Sequence, residues 1–318
     1  ARQIFQWLYK GIYDYELMTD ISKDLKNVLN ENTYIENISC EKIMVSHEDE
    51  TKKYLFRLSD GNIIESVYMK YKHGNSVCVS SQAGCRMGCS FCASTIGGLQ
   101  RNLLASEMID QVLKIQSDTG EKISNVVIMG SGEPFENYDE VLRFIRILHT
   151  KEGLNISLRN ITVSTCGIIP RIIDFAYQMP QVTLAVSLHA SNDETRNHIM
   201  PINRKYPLSQ LMKACKEYIA ITNKRITFEY ALIEGVNDSE KDAKELALLV
   251  KDMLCHVNLI SLNKVDESHL KGTNRQSAER FKNILEQHKI NATIRRELGS
   301  DIDAACGQLR RRYNDWKN

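Results

Sequence analysis

The chain after Cys78 alternates between short apolar runs and amphipathic helical patterns, and this alternation constrains its fold more than any other feature. Seven candidate strands lie at residues 77–80, 125–129, 160–164, 182–187, 225–231, 256–260 and 292–295. Helical patterns separate them at residues 106–117, 138–150, 168–178, 208–221, 240–251 and 276–287. Apolar strands that alternate with helices form a parallel sheet covered by helices. The sequence therefore predicts an α/β fold, a partial (β/α)6-type barrel with its chemistry at the carboxyl ends of the strands.

The chain on either side of this segment has a different pattern. Residues 1–30 carry apolar side chains at helical spacing, with Thr19 and Asp20 as the expected helix cap. Two alternating runs, 54–58 and 63–68, flank Asp60 and Gly61 and predict a β-hairpin with a tight turn. We therefore predict an N-terminal helical-plus-β accessory module (1–74), a barrel (75–298) and a C-terminal tail (299–318).

Composition is that of a soluble globular protein. The 318 residues are 42% hydrophobic and 25% charged, and 41 Lys and Arg oppose 40 Asp and Glu. This balance gives no overall sign of a nucleic-acid partner. No apolar run approaches the roughly 18 residues of a membrane span, and no signal segment is visible. We expect a cytoplasmic monomer with no membrane partner. Since the chain opens at Ala1, we also expect further residues upstream.

The chain has nine cysteines, an odd number that argues against a disulfide framework in a protein without a secretory signal. Cys85, Cys89 and Cys92 have the spacing C-x3-C-x2-C directly after the first barrel strand. Three thiolates on one loop can hold three irons of a cubane cluster and leave the fourth iron open to chelate a cofactor. The alternative is a zinc site, which needs four ligands, but no second Cys or His pair follows and the next candidate is His149.

This cysteine motif, with Phe91 before its last cysteine, resembles that of the radical S-adenosylmethionine (SAM) superfamily. Further matching segments are Gly130-Ser131-Gly132-Glu133-Pro134, Ser164-Thr165 with Gly167, Ser187-Leu188-His189, Met200-Pro201-Ile202-Asn203 and Asp301-Ile302-Asp303-Ala304-Ala305-Cys306-Gly307-Gln308-Leu309. Together they resemble the RlmN/Cfr family of radical SAM RNA adenine methyltransferases over essentially the whole chain.

The resemblance implies a [4Fe-4S] cluster on Cys85, Cys89 and Cys92, and two SAM molecules per turnover. The residues that match the family's SAM contacts are Gly132, Glu133, Ser164, Ser187, Leu188, His189 and Asn263. An acid after a glycine-rich turn also has room to face a cation, although Glu133 could instead satisfy the next helix. A histidine at a strand end is more often structural, so the role of His189 depends mostly on the match.

The resemblance also implies a chemistry for two further cysteines. An adenine C–H carbon is a poor nucleophile, so methyl displacement from SAM fails there, whereas a carbon radical can add to it. Cys306 would be methylated by a first SAM and, after radical formation, would add to the base as a protein–RNA adduct. Cys78 would resolve the adduct and leave a Cys78–Cys306 disulfide. Without the resemblance, Cys78 would be interpreted as a buried strand cysteine.

Glu65 matches a proton acceptor of the family, although its alternative interpretation is an exposed glutamate on the hairpin. The implied partners are 23S rRNA, tRNA and an external electron donor of the flavodoxin type. Basic clusters near Lys70, Lys72 and His73, at Arg295-Arg296 and at Arg310-Arg311-Arg312 are candidate RNA contacts.

Two alternatives remain open. The first is methylation of adenine C8, as in Cfr proteins. The second is a non-catalytic, zinc-stabilised RNA-binding protein. Cys166, where many relatives have Ser, is either a spectator or an extra thiol near the cluster.

Overall fold

The computed structural model describes residues 2–72, 74–262, 269–296 and 298–302. Its strands are β1 (Ser39–Val45), β2 (Lys52–Arg57), β3 (Ile63–Tyr71), β4 (Gly74–Val79), β5 (Gln82–Gly84), β6 (Leu99–Asn102), β7 (Ile123–Ile128), β8 (Ile161–Thr165), β9 (Thr183–Ser187), β10 (Ile226–Leu232), β11 (Cys255–Ser261) and β12 (Ala292–Ile294). Its α-helices are α1 (Arg2–Tyr9), α2 (Lys23–Asn32), α3 (Ala105–Thr119), α4 (Tyr138–His149), α5 (Ile169–Gln178), α6 (Asp193–Ile199), α7 (Leu208–Thr222), α8 (Glu240–Leu249) and α9 (Arg275–Gln287).

Ten of these strands form one mixed sheet in the order β1-β2-β3-β4-β7-β8-β9-β10-β11-β12. From β4 to β12 every neighbouring pair is parallel, and helices connect the successive strands. The predicted α/β fold and its partial barrel are therefore confirmed. The sequence did not predict β5 and β6, which form a separate antiparallel hairpin, or the short helix α6.

The barrel helices form because their apolar residues repeat at helical spacing and their ends are capped. In α4, Val141, Leu142, Ile145 and Leu148 are buried against the sheet. Ser239 and Asp242 form a reciprocal capping box at the start of α8. The buried faces join the apolar strands in one continuous core, and this core fixes the carboxyl ends of the strands relative to one another.

The N-terminal strands continue the barrel sheet. β1 to β4 form an antiparallel series, and β4 then pairs with β7 in parallel. The predicted hairpin is present as β2 and β3. The predicted cap at Thr19 and Asp20 is wrong: α2 begins after Ser22, whose hydroxyl accepts from the Leu25 N–H at 3.4 Å, a position that satisfies an otherwise unpaired donor.

Within the described ranges, no helix has the length and apolar character needed to cross a membrane. The boundaries of the accessory module, barrel and tail stay predictions.

Candidate active site

A cavity of about 340 Å³ opens at the carboxyl ends of the parallel strands. This size falls in the usual range for small-molecule sites. Its wall includes ten of the predicted site residues: Glu65, Cys78, Cys85, Cys89, Cys92, Gly132, Glu133, Ser164, Ser187 and His189. Asn263 and Cys306 lie outside the described residues. Leu188 does not line the cavity, because its side chain is fully buried in the core.

The cysteine loop follows β5 and is fixed by backbone hydrogen bonds. The Cys92 N–H donates to the Cys89 carbonyl at 3.1 Å, and the Ser90 N–H donates to the Ile199 carbonyl at the end of α6 at 3.0 Å. Burial raises the pKa of Cys85 to about 11 and also raises the pKa values of Cys89 and Cys92. Because thiolates are the ligands, binding of iron there must release protons.

The arrangement of these thiols bears on the kind of metal site. Within the described part of the chain, no three His, Cys, Asp or Glu side chains converge on a position for one ion. A cubane cluster binds each thiolate at a different iron. Three thiols on one loop beside a cavity fit such a cluster.

The glycine-rich turn after β7 packs directly on β5. Gly132 has φ +109°, and a Cβ there would lie 2.5 Å from Cβ of Gln82, so no other residue fits without a backbone shift. The Glu133 carboxylate accepts from Thr165 Oγ1 (2.7 Å), the Phe135 N–H (2.9 Å) and the Cys166 N–H (2.7 Å). Burial raises its pKa against the effect of these donors. Glu133 thus joins the ends of β7 and β8 as well as lining the cavity.

The ends of β8 and β9 bring two serine hydroxyls together. Ser164 Oγ and Ser187 Oγ are 3.5 Å apart on the cavity wall. The backbone of Leu188 is held on both sides, since its N–H donates to the Glu229 carbonyl and its carbonyl accepts from Arg196 Nε at 3.0 Å. Ser164 and Ser187 can therefore offer hydroxyl groups to a ligand, whereas Leu188 mainly shapes the turn.

His189 is held as a neutral imidazole with one defined tautomer. Its Nδ1 accepts from the Ala231 N–H at 2.9 Å, so the ring proton is on Nε2. The ring makes an edge contact with Phe91 of the cysteine loop, with 4.8 Å between the centroids. Burial, assisted by the Arg196 charge, lowers the pKa of His189 from 6.5 to about 3. At neutral pH, His189 is a hydrogen-bond donor in the cavity wall.

This depressed pKa predicts an acid-dependent loss of stability. The unfolded histidine binds a proton below pH 6.5, whereas the folded one does so only near pH 3. The contribution of His189 is therefore complete above pH 6.5 and falls by about 1.4 kcal/mol per pH unit between these limits. Denaturant unfolding of iron-free protein at pH 7 and pH 5 should show a smaller pH effect in His189→Asn than in wild type.

Asparagine tolerates the positive φ of 54° at this position. His288→Asn, at an exposed position after α9, is the matched control and should keep the wild-type pH effect. An unchanged effect in His189→Asn would show that His189 is not buried in its neutral form.

Glu65 is buried, not exposed as its alternative interpretation required. Its carboxylate lies 3.4 Å from Nζ of Lys53, and these side chains are 6% and 0% exposed. Lys53 pairs with Val67 across β2 and β3, and Val67 pairs with Cys78 across β3 and β4. Since side chains alternate along a strand, Lys53, Glu65 and Cys78 lie on the same face of the sheet. Cys78, which is half-buried, and Glu65 both line the cavity.

The buried ion pair predicts a large stability effect. Lys53→Met should lower the free energy of unfolding by about 3–5 kcal/mol, because it leaves the Glu65 carboxylate buried without this partner. Thermal or denaturant unfolding measures the loss. Lys52→Met, which removes the half-exposed pair with Asp118, should lower it by at most about 1 kcal/mol. Equal effects of the two substitutions would contradict the buried pair.

The C-terminal stem, residues 298–302, is attached to the loop between β1 and β2. The Gly299 N–H donates to Asp49 Oδ2 at 2.9 Å, and Asp301 Oδ2 accepts from the His47 N–H at 2.9 Å. The latter bond lowers the pKa of Asp301, which keeps the contact in place at neutral pH. Leu298 and Gly299 line the cavity, so the stem lies at its mouth.

Two charged residues at the site, Glu229 and Arg196, were not predicted from the sequence. Glu229 lines the cavity and accepts from Asn258 Nδ2 at 2.8 Å, and an acid in the otherwise apolar strand β10 was a signal that could have identified it. Cys166, whose role the sequence left open, is buried in the cavity wall beside Glu133. Arg196, on α6, had no signal in the sequence. The described cysteines form no disulfide, and the predicted Cys78–Cys306 disulfide includes a residue outside the described part.

Comparisons with known proteins agree with this geometry. The model of the radical SAM superfamily matches residues 79–247, and the model of the ribosomal RNA large subunit methyltransferase N-terminal domain matches residues 1–35. A "Probable dual-specificity RNA methyltransferase RlmN" of Thermoanaerobacter sp. (strain X514) is 57% identical over 98% of this chain and 92% of the relative. One of Clostridium tetani (strain Massachusetts / E88) is 56% identical over 98% of this chain and 90% of the relative.

A solved radical SAM methyltransferase from Sphaerobacter thermophilus has the same architecture. It superposes with a TM-score of 0.92 at 46% identity, over 96% of this chain and 91% of that chain.

A partial barrel with three thiols beside a strand-end cavity defines a radical SAM enzyme, and membership of that superfamily implies a [4Fe-4S] cluster and SAM. Within the superfamily, the identity to curated relatives covers nearly the full length of both chains. The chain belongs to the RlmN family of radical SAM RNA methyltransferases, as its motifs predicted.

Proposed function

We propose that this enzyme methylates C2 of adenine in 23S rRNA and tRNA through an S-methylcysteine at Cys306. One observation carries the proposal: a single cavity is lined by the three-cysteine loop, by the SAM-contact candidates and by both Glu65 and Cys78. The cofactor site therefore shares a wall with the site where Glu65 and Cys78 would resolve the protein–RNA adduct. This arrangement suits a reaction in which the protein carries a carbon from the cofactor to RNA.

The residues present fit the cofactors. Cys85, Cys89 and Cys92 would hold the cluster, and Ser164, Ser187 and His189 would donate hydrogen bonds to SAM. The cluster with SAM would supply a radical that takes a hydrogen atom from the methyl group on Cys306, and the carbon radical left there could add to an adenine C–H carbon. The hydrogen bonds to the buried Glu133 carboxylate from Thr165, Phe135 and Cys166 all come from uncharged donors, so the SAM ammonium would give it a cationic partner.

Glu65 and Cys78 would act together at the base. Since they lie on one face of adjacent strands β3 and β4, a base between them would have a carboxylate and a thiol within one cavity. Glu65 would accept the ring proton from the radical adduct, which would also lose one electron to the oxidised cluster. The Cys78 sulfur would then attack the Cys306 sulfur and break its bond to the transferred carbon, which would keep the bonding electrons and take up the Cys78 proton to become the methyl group. The Cys78–Cys306 disulfide that remains would need two electrons from the electron donor before the next turnover.

The stem supports delivery of Cys306 to this cavity. Ile302 is the last described residue, and three residues lie between it and Cys306, which makes four Cα–Cα steps. A segment of that length spans at most about 14 Å. Because Gly299 lines the cavity and Asp301 is bonded to the β1–β2 loop, the methyl-carrier cysteine has a short tether at the mouth.

Exposed arginines give the mouth an affinity for RNA. Arg295 and Arg296 are exposed and line the cavity, so their guanidinium groups can contact phosphates beside an inserted base. Lys70 is less suitable, because its ammonium already lies 3.4 Å from Glu50 and 3.9 Å from Glu121. The proposal includes a flavodoxin-type electron donor, two SAM per turnover, and action as a monomer in the cytoplasm.

Nucleoside mass analysis tests this function. Protein reconstituted anaerobically with iron and sulfide would receive SAM, a reductant and, in separate reactions, unmodified 23S rRNA and tRNA fragments. The digests should contain 2-methyladenosine, and S-adenosylhomocysteine and 5′-deoxyadenosine should form in equal amounts. An 8-methyladenosine product would assign Cfr-like chemistry instead. Neither product, from protein that holds its cluster, would contradict the RNA substrates, and bound zinc without a cluster would support the non-catalytic alternative.

A further inference from the structure

Among the residues that the structure describes, Arg196 is a fully buried cation without a carboxylate in direct contact. It is 0% exposed. Within the described ranges, its hydrogen bonds all go to uncharged oxygens: the Leu188 carbonyl (3.0 Å), Asn203 Oδ1 (2.9 Å), the Cys166 carbonyl (2.8 Å) and the Ser187 carbonyl (3.1 Å). A guanidinium keeps its proton in proteins. Burial of an uncompensated charge is unfavourable, so a reason for this arginine is needed.

The acids nearest to Arg196 do not neutralise it directly. Asp193 is exposed and reaches it only through Asn203, whose Nδ2 donates to Asp193 Oδ1 at 2.8 Å. Glu133 lies on the other side of the Cys166 peptide, accepting from its N–H while Arg196 donates to its carbonyl. In the radical SAM site, the SAM ammonium is the expected partner of Glu133. The positive charge of Arg196 therefore remains for another anion.

The helix that carries Arg196 is joined to the cysteine loop. The Met200 N–H donates to the Arg196 carbonyl at 2.7 Å, and the Ile199 carbonyl accepts from Ser90, the residue after Cys89. Cys89 packs with Cys166, Ile199 and Met200 in one small apolar cluster. The Arg196 guanidinium donates to the carbonyl of Cys166, a member of that same cluster, at 2.8 Å. Its charge therefore lies next to the apolar layer that packs on the cysteine loop.

We propose that Arg196 is a positioning residue that ties the ends of β8 and β9 together and sets the reduction potential of the cluster by placing a permanent positive charge beside it. The inference rests on the proposed function, because it requires the cluster. In reduction, the cluster gains one electron from an external low-potential one-electron reductant, and its net charge becomes more negative by one. A nearby cation stabilises the reduced form more than the oxidised form, and low-dielectric surroundings strengthen this effect.

The test is a redox titration of the reconstituted holoenzyme, followed by the electron paramagnetic resonance signal of the reduced cluster. Arg196→Met removes the charge and retains an unbranched apolar side chain. At a fixed applied potential, it should lower the ratio of reduced to oxidised cluster at least tenfold, which corresponds to a 59 mV fall in midpoint potential. Arg196→Lys, which retains the charge but loses the forked hydrogen bonds, should lower the unfolding temperature and shift the potential much less.

Asn203→Ala is the structural control, because it breaks one Arg196 bond and the bonds to Asp193 and Asn197 without changing any charge. It should destabilise the fold and leave the potential unchanged. If Arg196→Met does not fold, Arg196→Gln provides the second measurement, because it removes the same charge with a side chain whose amide can still donate to these carbonyl groups, and it should also lower the potential.

The outcomes separate the two proposals. An unchanged potential in a charge-removing variant that holds its cluster would overturn the role of Arg196 alone. A fall of equal size in Asn203→Ala or Arg196→Lys would overturn it as well, by attributing the shift to structure. Wild-type protein that assembles no cluster, judged by iron and sulfide content, would overturn the proposed function and this inference with it.

Discussion

Replacing Cys306 with alanine is expected to abolish methyl transfer to RNA. The sulfur of Cys306 is the proposed carrier of the methyl carbon, so the proposed mechanism has no route to the adenine without it. Removal of a covalent catalytic nucleophile lowers turnover by several orders of magnitude in other enzymes, so we expect a loss of at least about a thousandfold. The cluster and the cleavage of SAM should persist, because Cys85, Cys89 and Cys92 are unchanged.

The measurement compares 2-methyladenosine with 5′-deoxyadenosine in the same reaction. Cys306→Ala should lose the first product and retain the second. Cys40→Ala, at an exposed position on β1, is the matched control and should keep both. Methylated RNA from Cys306→Ala at the wild-type rate would refute the carrier mechanism, whatever the state of its cluster.

Cys78→Ala is expected to trap the enzyme covalently on its RNA. Without the proposed resolving thiol, the adduct through Cys306 should not be released, so the reaction should stop after at most one RNA per enzyme. Half-buried Cys78 lies on the same sheet face as Glu65 within the cavity, and alanine there removes the sulfur with little change in packing. Turnover should fall at least about a hundredfold.

Denaturing gel electrophoresis with labelled RNA shows the adduct as a band of protein and RNA, which RNase treatment should shorten. Cys255→Ala removes a buried thiol on β11 that is not part of the cavity wall and should give no such band. Release of normally methylated RNA by Cys78→Ala, with no adduct, would exclude Cys78 as the resolving thiol.

Much of the fold could be predicted from the sequence because the parallel strands and their helices carry strong hydrophobic periodicity. The strands β7 to β11 and the helices α3 to α5 and α7 to α9 match predicted segments within a few residues. The missed elements lack that signal. The seven-residue helix α6 is almost entirely polar, and β5 has only three residues, so their formation depends on tertiary contacts.

The site residues that follow strand ends or belong to motifs could be predicted from the sequence. Buried contacts between charged residues that are far apart in the chain could not. The alternative interpretation of Glu65 placed it on an exposed strand, since glutamate is seldom buried without a partner. Its partner Lys53 is on another strand, and their contact depends on the β2–β3 register. The role of Arg196 likewise depends on carbonyl groups from two strand ends that only the folded chain brings together.

The attachment of the stem has a consequence for the order of events during protein synthesis. Gly299 bonds to Asp49, which lies 250 positions earlier in the chain, and Asp301 bonds to His47, which lies 254 positions earlier. Contacts between such distant residues form late in folding. A nascent chain can build the accessory strands and most of the barrel before residue 301 emerges from the ribosome. The stem that precedes the proposed methyl-carrier cysteine would then dock only when the rest of the molecule is almost completely folded. An incomplete chain would therefore have no means of presenting that thiol to RNA.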